Sequence, residues 1–254
     1  MKALWKPLLL VLALGACSST GPKQPSAKER AEEVSQIKTQ LAVEYMSSRD
    51  YRQATAAIED ALQANGKNQN AWLIRAQIYQ FLKVPEKAQE SFLRALELNP
   101  NSAEINNNYG WFLCSVQNNP NAAMQHFDKA LADPTYPNPY VAYLNKGICS
   151  AKMGQYSLAQ AYLERSIATQ PNFVPAVKEL ARTKLMAGQV GEAENYFKQY
   201  QSKVDVLSAD DLLLGLKISR TAGHTQAAYE YEAQLRANYP YSEELQSISS
   251  GQTP

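Results

Sequence analysis

The chain has 254 residues, of which 25 are basic and 24 acidic, giving a formal net charge of +1. So balanced a charge excludes the electrostatic footprint expected of a protein that binds nucleic acid or anionic lipid, and we expect no nucleic acid partner. The chain has two histidines, neither of them in a cluster at metal-ligand spacing, and no phosphate-binding glycine loop or nucleophile elbow; we therefore predict no metal, no cofactor and no enzymatic activity.

The first 16 residues have the organisation of a secretory signal peptide. Lys2 and Lys6 flank the start, an apolar run extends from Leu8 to Leu14, and the small residues Gly15 and Ala16 follow. This order is typical of a cleaved export signal. The apolar run is much shorter than the roughly 20 residues that a transmembrane helix needs, so we expect residues 1–16 to be removed.

A cysteine directly follows the export signal. The quartet Leu14-Gly15-Ala16-Cys17 resembles the bacterial lipobox, which implies cleavage before Cys17, a diacylglycerol on its thiol and acylation of the new amine. An ordinary signal peptide with an incidental cysteine is the alternative. Ser18, where an aspartate favours retention at the inner membrane, implies delivery to the outer membrane, with the protein facing the periplasm of a Gram-negative cell. We expect this covalent lipid, and no other cofactor, to anchor the protein.

The stretch after Cys17 is predicted to be a flexible tether. The sequence SSTGPKQPSAKER is rich in Ser, Pro and Lys and contains no large apolar residue, so it buries too little surface to fold. We assign residues 17–34 to the lipidated cysteine and its tether. The part from Ser18 to Ala27, at up to ~3.3 Å per residue, would give the folded body some 30 Å of reach above the lipid.

A repeat with a period close to 34 residues fills most of the remaining chain. Each unit has an alanine that is followed four residues later by a large side chain and, in most units, seven residues later by a small one. The alanines are Ala54, Ala88, Ala123, Ala159, Ala193 and Ala227. At the seventh position, Tyr200 and Gln234 depart from the small residues of the other units. A second small residue lies about twelve residues before each alanine, at Ala42, Ala76, Gly110, Gly147, Ala181 and Gly215.

These residues match the tetratricopeptide repeat (TPR) family, in which two helices cross closely at small side chains. The resemblance implies an all-α fold, a right-handed solenoid of helix-turn-helix repeats whose first helices line a concave face. We predict six repeats over residues 35–240, with bounds 35–68, 69–102, 103–139, 140–173, 174–207 and 208–240. The proline-rich DPTYPNP should form a joint between the third and fourth repeats. We expect residues 241–254 to be a polar, frayed tail.

Cys114 and Cys149 fall late in the first helices of the third and fourth repeats, which stack side by side in a TPR array. Export to an oxidising compartment favours a disulfide between them. The alternative is two free cysteines that pack as small hydrophobic residues.

The TPR resemblance also implies which side chains line the concave groove and meet a protein partner. The transferred positions are Leu73, Gln77, Phe81, Asn107, Trp111, Leu144, Ile148, Lys178 and Arg182. The groove would be apolar and amide-rich in the middle and basic in the fifth repeat, which suits a bound peptide. Trp111 could instead cover the core, and Lys178 and Arg182 could simply be solvated.

The arrangement of lipobox, tether and six repeats resembles the PilF/PilW family of type IV pilus lipoproteins. The segments NNYGWFLC, KALADPTYP and NKGIC carry this resemblance. It implies a pilotin or assembly factor that helps the pilus secretin insert into the outer membrane and form multimers, supporting pilus formation and twitching motility. The expected partner is a secretin subunit or another pilus assembly protein, bound by a monomer. The alternative is a TPR scaffold lipoprotein for another envelope machine, serving β-barrel assembly or peptidoglycan processing.

Overall fold

The computed structural model describes residues 24–249, so the predicted signal peptide and Cys17 lie outside the described residues. Over that range the chain forms thirteen α-helices and no strand. The first six are α1 Ala27–Ser47, α2 Tyr51–Ala64, α3 Gln69–Phe81, α4 Pro85–Leu98, α5 Ala103–Ser115 and α6 Pro120–Ala132. The others are α7 Pro139–Lys152, α8 Tyr156–Thr169, α9 Val174–Met186, α10 Val190–Gln201, α11 Ala209–Thr221, α12 Thr225–Asn238 and α13 Glu243–Ser249.

The helices pair in chain order, each even-numbered helix from α2 to α12 packing on the helix before it. A short turn joins the two helices of each pair, and one residue in every turn has a positive φ. In the last three pairs that residue is glycine, at Gly154, Gly188 and Gly223, with φ between 72° and 78°. Glycine adopts this left-handed conformation without steric cost. In the first three pairs Arg49, Lys83 and Asn118 take the same conformation.

Small residues allow the two helices of a pair to approach closely. A Cβ atom added to Gly147 would lie 2.6 Å from Leu163 Cγ, and one added to Gly110 would lie 2.8 Å from the Phe127 ring. The large residues four positions after the anchoring alanines fill this space, and both Leu163 and Phe127 are fully buried. The repeat pattern in the sequence therefore corresponds to one packing contact made in successive pairs.

Stacking of the pairs produces the solenoid. The first helices of neighbouring repeats pack together directly at α1–α3, α5–α7 and α7–α9, while each second helix also contacts the first helix that follows it. A helix pair exposes apolar residues on two faces, and this stacking buries both. The predicted all-α TPR solenoid is confirmed, with the odd-numbered helices from α1 to α11 lining the concave face. Among the described helices, none combines the length and the apolar character needed to cross a bilayer.

The first helix begins earlier than expected. Ser26 caps α1: the Glu29 backbone N–H donates to Ser26 Oγ (3.2 Å) and the Ser26 N–H donates to Glu29 Oε2 (2.6 Å). This reciprocal capping box starts the helix at Ala27, because it satisfies backbone donors that would otherwise lack partners. The tether predicted to extend to residue 34 is therefore too long, and residues 27–34 are helical.

The C-terminal segment is also more ordered than predicted. Residues 243–249 form α13, in which Leu245 is 9% exposed and packs with Leu212 and Leu235. Composition alone indicated a polar tail, but Leu245 and Ile248, three residues apart, give this turn of helix an apolar side. The superhelix brings α13 to the α3–α4 turn, where Lys83 Nζ lies 3.3 Å from Glu243 Oε1.

The proline-rich segment between the third and fourth repeats is packed. Tyr136 is 8% exposed and contacts a cluster formed by Ala103, Ala130 and Ala142. Pro139 occupies the first turn of α7, where its missing N–H costs no hydrogen bond. The longer connection between these repeats is thus a loop that buries its own aromatic side chain, Tyr136.

The concave face and a pocket between α9 and α11

The two internal cysteines lie on the first helices of the third and fourth repeats. Cys114 in α5 and Cys149 in α7 form a disulfide, with their Cα atoms 6.1 Å apart. Both side chains are fully buried. The bond links neighbouring first helices and so fixes the spacing of the concave face at the centre of the array.

Two of the predicted groove residues face the protein interior. Leu73 is 2% exposed, within the core cluster of the second and third repeats. Asn107 is 4% exposed, and its Oδ1 accepts a hydrogen bond from Asn145 Nδ2 at 3.1 Å. The prediction that these two side chains line an open groove is wrong, because Leu73 packs into the core cluster and Asn107 pairs with Asn145 of the next first helix.

Gln77 and Phe81 on α3 have different surroundings. Gln77 is partly buried, and its Nε2 donates to Asn108 Oδ1 at 2.9 Å, which joins the second repeat to the third. Phe81 is 61% exposed and stacks on Tyr51 with 5.5 Å between ring centroids. Phe81 therefore offers an apolar surface to a partner, whereas Gln77 already has an intramolecular hydrogen bond.

Trp111, Leu144 and Ile148 form the central part of the predicted groove. All three are partly buried, on α5 and α7. The aromatic residue that fills the core here is Phe112, which is fully buried. Trp111 thus covers part of the array while keeping some surface accessible, which combines the two interpretations of this residue.

The predicted basic patch of the fifth repeat is an ion-pair cluster. Lys178 Nζ lies 3.1 Å from Asp210 Oδ2 and 3.0 Å from Asp211 Oδ1. Arg182 Nη2 lies 2.7 Å from Asp210 Oδ2, and Arg182 Nε lies 3.1 Å from Glu179 Oε2. The carboxylates at the start of α11 therefore neutralise most of the charge that sequence reasoning assigned to a free basic face.

The titration properties of this cluster follow from its contacts. Burial alone would raise the pKa of Asp211, but hydrogen bonds from Ser208 and the ammonium group of Lys178 outweigh it, and the pKa lies below its usual value. Burial lowers the pKa of Lys178, and its contacts with Asp211 and Asp210 more than compensate, so the net direction is upward. Both groups are thus held in their charged forms.

Tyr200 lies at the end of α10, at the boundary between the fifth and sixth repeats. It occupies the position where the first four repeats have Ala61, Ala95, Ala130 and Ser166, all fully buried. Its ring is 7% exposed, and its hydroxyl donates to Asp211 Oδ2 at 3.0 Å. Tyr200 is larger than the alanine or serine that the first four repeats have at this position, so it needs more space between the packed helices. The helices α9 and α11 do not pack as closely as α7 and α9, and the same holds for α3 and α5.

A pocket opens on the concave side where α9 and α11 diverge. The cavity has a volume of about 580 Å³, within the range of small-ligand sites in proteins. Its apolar wall consists of Leu185, Met186, Leu213 and Leu216, and its charged lining residues are Arg182, Lys217 and Arg220. We refer to these seven residues as the α9–α11 pocket. Of them, the sequence prediction included Arg182 alone. The signal that could have identified the pocket is the helical spacing of Leu213, Leu216, Lys217 and Arg220, which places all four on one face of α11.

The chemistry of the concave face is that of a binding surface. Among residues 24–249, no group of three His, Cys, Asp or Glu side chains is arranged to hold a metal ion. The features present are partly accessible apolar side chains, amides and a cationic pocket. Such a surface can bind a polypeptide by shape, apolar contact and charge.

Comparisons with known proteins agree with this architecture. Residues 36–194 match a family model described as the tetratricopeptide repeat protein 21 N-terminal ARM repeat. The type IV pilus assembly protein PilF of Pseudomonas aeruginosa is 26% identical over 243 residues, covering 95% of this chain and 96% of that protein. A solved structure of Pseudomonas aeruginosa PilF superposes with a TM-score of 0.70 over 87% of this chain and 99% of that chain.

A crystal structure of PilW, described as a widely conserved type IV pilus biogenesis factor, has 69% sequence identity to this chain. The match covers 85% of this chain and 99% of PilW, with a TM-score of 0.78. Identity at this level over an entire TPR array exceeds what the shared repeat consensus requires. The chain therefore belongs to the PilF/PilW family of tetratricopeptide-repeat proteins.

Proposed function

We propose that this protein is an assembly factor for type IV pili that acts by binding a protein client on its concave face. The observation that carries the proposal is the 69% identity to PilW over 99% of that chain. A TPR scaffold of this kind works through protein contacts, and the proposed action needs binding energy rather than bond chemistry.

The proposed client is a subunit of the pilus secretin, which the protein would help to insert and to multimerise in the outer membrane. A lipid on Cys17 would hold the protein at that membrane, facing the periplasm. Anchoring raises the effective concentration of the client where the ring forms. Contact with the concave face would also cover exposed strand edges of the subunit, which otherwise pair with other chains and aggregate.

Deletion of the gene tests the proposal when the secretin is followed in outer-membrane fractions. We expect the ratio of secretin multimer to monomer to fall and surface pili to be lost. Wild-type protein should restore both. A Cys17→Ser variant, whose hydroxyl cannot form the thioether to lipid, should restore neither while accumulating to the same level. Unchanged multimer and normal pili in the deletion strain would contradict the proposal.

A further inference from the structure

The α9–α11 pocket combines an apolar wall with a cationic edge. Leu185 and Met186 end α9, while Leu213 and Leu216 lie across the cavity on α11. Met186 is 46% exposed and Leu213 is partly exposed, whereas Leu216 is 1% exposed, so the accessible part of this wall is Met186 and Leu213. An accessible apolar wall inside a concavity is where large side chains of a ligand gain most from burial.

The charged side chains that line the pocket are all cations. Arg220 is paired with Glu232, at 2.6 Å between Nη2 and Oε2, and Arg182 is paired with Asp210 and Glu179 on one side. Lys217 differs from both, because within residues 24–249 no carboxylate lies within ion-pair distance of its ammonium group. The pocket therefore contains one cation that lacks a direct counter-ion.

The surroundings of Lys217 make its positive charge costly. Burial, and to a lesser extent repulsion from Arg182, lower the pKa of Lys217, and the more distant Asp210 only partly offsets them. A carboxylate brought into the pocket would compensate this cost and form a charge-assisted hydrogen bond. The geometry thus favours a ligand that carries one negative charge together with apolar surface.

We propose that the α9–α11 pocket binds a peptide segment of a partner protein in which an Asp or Glu side chain lies beside large apolar side chains. The carboxylate contacts Lys217, and the apolar side chains pack on Met186 and Leu213. The inference rests on the proposed function only in that both require a polypeptide on the concave face.

The positive charge of Lys217 and the apolar wall together favour this peptide over two other occupants, the C-terminal residues of the same chain and a second copy of the chain. Residues 250–254 of the chain itself, Ser-Gly-Gln-Thr-Pro, have no acidic side chain and no large apolar side chain to cover the wall. A second copy of the chain would have to offer an exposed acidic and apolar segment, and its binding would make the protein dimeric. Both alternatives give distinct results in the test below.

The test is selection of a displayed library of random 12-residue peptides, with blocked termini on resynthesis, against the purified full chain. We expect enrichment of peptides in which Asp or Glu neighbours Leu, Ile, Phe or Met. Affinity should fall about tenfold, the equivalent of one lost charged contact, when that acidic residue becomes Asn or Gln. The same loss is expected for Lys217→Met, while Lys198→Met, at an exposed lysine of α10, should bind normally.

Two measurements make the outcome decisive. Circular dichroism melts establish that each variant is folded, and NMR titration of the Lys217 ε-carbon should show its pKa rising when peptide binds.

Failure to enrich any peptide, enrichment without acidic residues, or equal binding by Lys217→Met would overturn the inference. Concentration-dependent dimerisation that blocks the peptides, or tighter peptide binding after removal of residues 250–254, would assign the pocket to the other occupants. None of these results would alter the deletion phenotype, so the two proposals can fail separately.

Discussion

The hydroxyl of Tyr200 donates a hydrogen bond to Asp211 across the boundary between the fifth and sixth repeats, at 3.0 Å. This contact joins the end of α10 to the first turn of α11. It also explains why a large side chain is tolerated where other repeats have alanine, because the hydroxyl is satisfied by a buried carboxylate. The hydrogen bond therefore links the two repeats at this boundary.

Replacing Tyr200 by Phe tests this arrangement. The ring remains and the hydrogen bond to Asp211 is lost, so the free energy of unfolding should fall by about 1–2 kcal/mol. Tyr229→Phe is the control, because Tyr229 is 70% exposed and its replacement should change stability little. Urea titration followed by circular dichroism measures both. A Tyr200→Phe variant as stable as the wild type would show that the hydroxyl contributes nothing.

Gly147 tests the close approach of α7 and α8. An added methyl would lie 2.6 Å from Leu163 Cγ and 3.2 Å from the Ala159 carbonyl oxygen, and overpacking of this kind costs about 1–3 kcal/mol. Gly147→Ala should lower the thermal midpoint accordingly. Gly191→Ala is the matched control, since nothing lies within 4 Å of its added methyl and its helix propensity improves by up to ~1 kcal/mol. Equal effects of the two substitutions would contradict the packing described for α7 and α8.

The disulfide between Cys114 and Cys149 should contribute measurably to stability. It closes a loop with a sequence separation of 35, for which chain entropy predicts about 3–4 kcal/mol. The Cys114→Ala/Cys149→Ala double variant should lose an amount of this order in urea denaturation. Alkylation and mass spectrometry without reductant provide the direct check. Alkylation of Cys114 and Cys149 in protein purified without reductant would exclude the bond.

His126 should make stability depend on pH. Its Nδ1 lies 2.9 Å from Asn106 Oδ1, and burial, followed by repulsion from Lys129, lowers its pKa from the usual 6.5. The unfolded chain then binds a proton more readily than the folded one, so this contribution to stability is present above pH 6.5 and is lost as the pH falls below it. Denaturant midpoints measured from pH 8 to pH 5 should decline less in His126→Gln than in the wild type. Parallel declines would show that His126 does not titrate differently in the folded state.

Much of the fold is predictable from the sequence because the repeat encodes one packing contact several times over. Each anchoring alanine, with its small partner on the preceding helix, specifies the crossing of two helices, and only small side chains permit it. The ends of the array are less predictable. Composition indicated disorder around Ala27 and Leu245, whereas the Ser26 capping box and one short apolar helix face order both regions.

The candidate site was harder to predict. The consensus groove positions indicate which side of a helix faces the concave surface, but not which side chains of the neighbouring repeats contact each residue there. Asn107 is enclosed by Asn145, and Lys178 is neutralised by Asp210 and Asp211. These partners come from the following repeat, so their contacts depend on the local stacking angle. The pocket lies against a face of α11, formed by Leu213, Leu216, Lys217 and Arg220, which the transferred groove positions did not include.

Complementation of piliation tests the central claim, that a client of the pilus machinery binds the concave face at the α9–α11 pocket. The informative pair is Met186→Asp, in the α9–α11 pocket, and Leu93→Asp on α4, because the two side chains are 46% and 43% exposed and gain the same charge. Surface pili are counted in a deletion strain expressing each variant at the wild-type level. We predict that Leu93→Asp restores piliation and that Met186→Asp does not. Full restoration by Met186→Asp would contradict the account.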